Sequence, residues 1–188
     1  MTRDIIDKTT KGNIFMHILL SIIMIAILWK SGLWRDWQKY HTVMLYFVMG
    51  NLLYNFLTAN YFLWRLDADF ISNHTLTEML YTFIIFPITT LLFMGNYPVG
   101  KRKILLHYLW YISWYVFVEW IFSKAGYIEY QYGWNILWSA FFDCFMFPML
   151  RLFYKKPIIA YLISIVIGAF FLWWFKVPVH IPVEERGK

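Results

Sequence analysis

Two carboxylates stand inside apolar runs of this chain: Glu119, within residues 104–123, and Asp143, within residues 134–153. A charged side chain at mid-bilayer costs roughly 2.5–3.5 kcal/mol on insertion scales, so each such group is a functional candidate by default. Burial disfavours the charged form of a carboxyl, so either group is expected to stay neutral and to donate a hydrogen bond or a proton. Around them, polar side chains recur at helical spacing. Tyr108, Tyr111, Tyr115 and Glu119 fall on one helix face, and Asn135, Ser139 and Asp143 repeat every four residues on another. Asn51, Asn55 and Thr58 form a third stripe with Tyr54 beside it, Asn13, His17 and Ser21 form a fourth, and Glu78 opens another run.

These stripes converge at one depth in the outer half of the expected bundle. Trp114, Trp120, Trp134 and Trp138 add apolar walls and cation–π surfaces. The candidate binding set is therefore Asn51, Tyr54, Asn55, Glu78, Tyr115, Glu119, Trp134, Asn135, Trp138 and Asp143. It suits a small amphipathic molecule or lipid with an apolar body and one polar or cationic end. Glu119 and Asp143 are also the candidates for catalysis, as general acids on a lipid or isoprenoid substrate. A third reading is a structural subunit of a membrane complex, with the stripes facing a partner. Each residue also has a plain structural reading. Asn and Ser glue helices together, Thr75-Leu-Thr-Glu78 fits a capping box, His17 packs near a helix end, and the tyrosines line a packed face.

The elements that must position these residues follow from composition. The chain has 188 residues, 61% of them hydrophobic, 23% aromatic and 15% charged. Soluble domains average about 45–50% apolar and about 25% charged. With a mean hydropathy of +0.52, the composition implies a single all-α membrane domain. Six runs are long enough to cross a bilayer as helix, at about 13–29, 42–64, 76–95, 104–123, 134–153 and 157–175. Five crossings plus one interfacial helix is the alternative. The first run has no small-residue cleavage site and reads as a retained helix.

Orientation comes from the loops. Lys30, Arg35, Lys39, Lys101, Arg102, Lys103, Arg151, Lys155 and Lys156 lie in the odd loops, against Arg65 and Lys124 in the even ones. The positive-inside bias puts the odd loops in the cytoplasm and both termini outside. The net charge of +6 sits in clusters beside apolar runs, which points to anionic lipid headgroups and not to nucleic acid. The single cysteine, Cys144, excludes an internal disulfide and a Cys-based zinc site, and no His pair has metal-binding spacing. No metal or cofactor is expected. Gly95 to Lys101 mimics a phosphate loop, but Arg102 stands where Ser or Thr is required and no strand precedes it. Asn73-His-Thr75 is a glycosylation pattern, and the oligomeric state is open.

The stretch from Gly50 through Tyr54, Asn55 and Thr58, then Ile85-Phe-Pro87, Glu119-Trp120, Gly133-Trp134-Asn135 and Met146 to Pro157, resembles a family of small Trp-rich multi-pass proteins of spore-forming Gram-positive bacteria. The likeness runs from about Trp34 to Pro157. It implies a bacterial plasma membrane and supplies no catalytic residue.

Overall fold

A computed structural model describes residues 2–66 and 74–186, with side chains from residue 16 onward. The chain is all-helical apart from one small sheet. Its helices are α1 (Thr2–Ser31), α2 (Trp37–Leu57), α3 (His74–Leu80), α4 (Phe86–Gly95), α5 (Lys101–Lys124), α6 (Ile136–Lys155) and α7 (Pro157–Trp174). A π turn, Tyr81–Ile85, joins α3 to α4. Strands β1 (Trp64–Leu66) and β2 (Ile128–Tyr130) pair antiparallel, with Trp64 opposite Tyr130 and Arg65 opposite Glu129.

Four helical stretches are long and apolar enough to cross a membrane: His74–Gly95, Lys101–Lys124, Ile136–Lys155 and Pro157–Trp174. A fifth is formed if the pair Met16–Ser31 and Leu33–Leu57, bent by 85° at Gly32, counts as one span. The all-helical class is as expected from the sequence, but of the six expected runs four, or five with the bent pair, give helices long and apolar enough to cross. The first two runs differ in detail, because Gly32 adopts φ 72° and turns the chain sharply between them. The second run is also shorter than its apolar composition suggests. α2 stops at Leu57, where the Thr58 hydroxyl donates back to the Tyr54 carbonyl at 2.8 Å and Asn60 takes φ 60°.

Local chemistry explains the other boundaries. Asn135 caps α6 by accepting from the N–H groups of Leu137 and Trp138. Pro157 opens α7 at a position where no N–H is needed. α5 ends in a left-handed glycine: Gly126 (φ 79°) lets the Tyr127 N–H reach the Phe122 carbonyl at 2.8 Å, and the two rings meet edge to face. α7 closes in the same way through Lys176 (φ 52°), with the Val177 N–H on the Leu172 carbonyl.

One apolar core fills the bundle, centred on Val43, Phe93 and Phe147, all wholly buried. A second cluster, with Leu63, Trp134, Phe171, Phe175 and Val177, closes the end that carries the sheet. The nine basic loop residues named above lie at the opposite end, around the α1–α2, α4–α5 and α6–α7 turns. On its outward face α5 presents Trp110, Trp114, Phe117 and Trp120, all exposed and arranged ring against ring. Lipid tails are the natural cover for such a face in a membrane.

Candidate functional site

The sheet end is built by tyrosine. The Tyr54 hydroxyl donates to the Trp64 carbonyl at 2.6 Å and accepts from the N–H groups of Leu63 and Trp64, while its ring stacks on Trp64 at 5.1 Å. Its hydrogen-bonding capacity is therefore spent on holding β1 in place. Across the sheet Arg65 meets Glu129 at 2.7 Å, and its guanidinium lies over Phe62. Half-exposed pairs of this kind contribute roughly 0.2–1 kcal/mol, so this one sets register more than it adds stability.

β2 carries Tyr130 to the end of α5. There its hydroxyl donates to Glu119 Oε1 at 2.7 Å, and the Ser139 hydroxyl donates to the same oxygen at 2.5 Å. Ser139 in turn accepts from the Trp134 indole N–H at 2.9 Å. Four side chains from α5, β2, the α6 entrance and α6 thus form one hydrogen-bonded chain ending on a carboxyl. Burial, and then the neighbouring Glu119 carboxyl, push the Tyr130 phenol above its ordinary range, so it remains a donor at physiological pH. Glu119 itself is half-buried, and both hydrogen bonds fall on one of its two oxygens.

The antiparallel packing of α5 and α6 repeats this meeting at successive turns. One turn inward, Tyr115 stands beside Asp143, and the next turn sets Tyr111 against Phe147 at 5.6 Å between centroids. Asp143 is 5% exposed. Its Oδ2 is buried without a hydrogen-bond partner, and Glu119 is its charged neighbour. The Tyr115 hydroxyl donates to Thr89 on α4 at 2.8 Å. Below this level Phe93 and Phe147, 5.2 Å apart, close the seam with hydrocarbon.

A second polar centre lies between α2, the π turn and β1. Glu78 Oε1 accepts from the Leu66 N–H at 3.1 Å, and its Oε2 is buried without a partner. Asn51 donates to the Thr82 hydroxyl at 2.8 Å, Thr82 donates to the Glu78 carbonyl, and Asn55 donates to the Asn51 carbonyl. His17, wholly buried, meets the Tyr81 hydroxyl at 2.9 Å and is boxed by Phe122 and Tyr127. A π turn at this point matters, since such insertions shift side-chain register within a helix and recur at functional sites.

The ten residues singled out from the sequence are therefore placed unequally. Glu119, Tyr115, Asp143 and Trp134 come together along the α5–α6 seam, and Asn51, Asn55 and Glu78 form the second centre. Tyr54 is a post for β1. Asn135 differs from the expected stripe: it is exposed and its side chain is occupied as a helix cap. Trp138 packs against Trp174 and Phe175 at 5.5 and 5.1 Å, so it is wall material and touches no carboxyl. The side chains of Asn13 and Asn73 lie outside the described residues. Sequence reading undervalued Ser139 as interhelical glue, although its four-residue spacing from Asp143 carried the signal, and it missed Tyr130, which no local pattern marks.

The seam is packed. Among the described residues, two shallow apolar grooves lie on the surface. One runs along Leu172, Trp173, Trp174, Lys176, Val177 and His180, the other along Ile22, Ile25, Ala26, Trp29 and Lys30, and neither reaches a carboxyl. No cluster of His, Cys, Asp and Glu among those residues has metal-holding geometry. No protein-family model, curated protein or solved structure matches this chain, so its site is read from its own geometry.

Proposed function

We propose that this chain is a multi-pass protein of a bacterial plasma membrane, of the small Trp-rich kind it resembles. In this reading six helices cross, α1 steeply tilted, with the sheet end and both termini outside and the basic end against anionic cytoplasmic headgroups. Its role is to bind or carry a small amphipathic molecule with a cationic end at the outer polar and aromatic site around Glu119. One observation carries this reading. Among the described residues Glu119 accepts only from neutral donors, Tyr130 and Ser139, and the basic side chain of the sheet, Arg65, is already spent on Glu129. A half-buried carboxyl with no cation bonded to it among the described residues, held by the Tyr130 phenol and linked through Ser139 to the Trp134 indole, is complementary to an organic cation.

Tetraphenylphosphonium is a suitable probe. The purified chain is expected to melt later in its presence, by about 2.7 kcal/mol of linkage at a hundred times the dissociation constant. Glu119→Gln, which keeps the acceptor and loses the charge, should abolish the shift. Equal stabilisation of wild type and variant would refute the site, and no stabilisation of either would refute the cationic ligand.

Orientation has its own test. In a Cys144→Ala background, Tyr132→Cys near the sheet should react with an impermeant maleimide on intact cells. Lys103→Cys should react only after the membrane is opened. The opposite pattern overturns the assignment drawn from the basic loops.

A further inference from the structure

Asp143 is left over by the binding reading. It is nineteen-twentieths buried, and the charged group facing it among the described residues is another acid, Glu119. Tyr115 stands beside it from α5, its hydroxyl turned to Thr89, and Phe147 closes the turn below on α6. An ionised carboxylate there would be an unpaired charge beside a like charge in a low-dielectric interior, whereas a protonated one needs only a single acceptor. Interhelical adhesion does not explain it, because its buried Oδ2 bonds to nothing. What the geometry does provide is a row of exchangeable hydrogens leading outward. Ser139 lies one helical turn away on the same face, and its hydroxyl touches Glu119, which is half-exposed at the sheet end. Inward the row stops at Phe93 and Phe147, both wholly buried.

We propose that Asp143 is a buried proton store that exchanges with water at the sheet end through Ser139 and Glu119, and that Phe93 and Phe147 bar the proton from the basic end. The proposal rests on the binding reading for one point, the accessibility of Glu119. It makes the site one where an arriving cation and a proton compete for the same carboxyl. The transfer balances. A hydronium ion gives one proton to Glu119, whose carboxyl passes a proton to the rotating Ser139 hydroxyl. In the same step Ser139 releases its own proton to the ionised Asp143 at Oδ2, the two side chains lying one helical turn apart on the same face and rotating toward each other. Each O–H bond broken is matched by one formed, and no oxidant or reductant enters.

Infrared difference spectroscopy of the full-length chain in lipid nanodiscs tests this. At neutral pH the wild type should show a C=O band of a protonated carboxyl. The band should move when aspartate is labelled with carbon-13 at Cγ and vanish in Asp143→Asn. Isotope labelling keeps the assignment sound if that variant does not fold. On transfer to heavy water the wild-type band should shift promptly. Ser139→Ala and Glu119→Gln should each slow the shift by about tenfold or more, the effect of raising the barrier by one lost step. Absence of an aspartate-dependent band, or equal exchange in all three proteins, overturns the proposal. A chain that exchanges as expected but is not stabilised by tetraphenylphosphonium would refute the binding reading alone.

Discussion

Glu119→Leu is expected to destabilise the protein by about 2–3 kcal/mol while Glu119→Gln leaves it close to wild type. The reason is the arrangement on Oε1. Tyr130 and Ser139 both donate to it, and leucine strands both donors at roughly 1–3 kcal/mol each. The lower end applies, because a helix unfolded within a membrane finds other polar partners. Glutamine keeps a carbonyl in the same place and puts a non-ionising amide NH2 where the other oxygen was, away from both donors. Chemical denaturation in mixed micelles, followed by tryptophan fluorescence, separates the two variants. A leucine variant as stable as wild type would mean that the Tyr130–Ser139–Glu119 chain is dispensable. Tyr130→Phe provides a check, since it removes one donor without stranding another and should cost less than the leucine change.

The other large effect is expected from Phe147→Ala, at about 3 kcal/mol. Phe147 is wholly buried and touches Phe93, Tyr111 and Tyr115 with ring centroids 5.1 to 5.6 Å away. Truncating such a ring in a water-soluble core costs roughly 3–5 kcal/mol, part transfer and part cavity. In lipid the transfer share falls away, since the unfolded helix also rests among hydrocarbon, and the packing share remains. The low end of the range follows. The same denaturation measurement reads it, and Phe147→Leu should recover about half of the loss by refilling the space. A Phe147→Ala variant unfolding at the wild-type midpoint would show that the α4–α5–α6 junction is not a rigid contact.

Helix class and the positions of four helices long and apolar enough to cross a membrane were legible because long apolar runs between charged turns admit few other solutions. The α5–α6 seam was legible too. Four-residue spacing places Ser139 and Asp143 on one face, Tyr115 and Glu119 do the same on the neighbouring helix, and short antiparallel connections bring such faces together. The sheet was not. Three-residue strands of mixed composition, Trp64-Arg-Leu66 and Ile128-Glu-Tyr130, carry no periodic signal, and their pairing joins residues 64 apart in sequence. Tyr130 therefore reaches Glu119 by tertiary placement alone. The π turn at Tyr81–Ile85 was equally invisible, since one extra residue in a turn leaves hydropathy unchanged. Tyr54 and Asn135 had the right chemistry for a site, but backbone groups that needed partners claimed them first.

The β1–β2 pairing also governs the order in which the chain is finished. β1 follows α2, and β2 emerges only after α5, so the Leu66 N–H that bonds Glu78 is not fixed by a strand partner until most of the protein has been made. During synthesis, α2 to α4 are therefore made before the strand that completes the enclosure of Glu78, Asn51 and Asn55. The arrival of β2 fixes the strand that bonds Glu78, and the Glu119 centre closes only when Ser139 follows on α6. Chains stalled before residue 128 should therefore hold their helices yet be cut by added protease at the unfinished sheet end. Release of the remaining residues should end that cleavage.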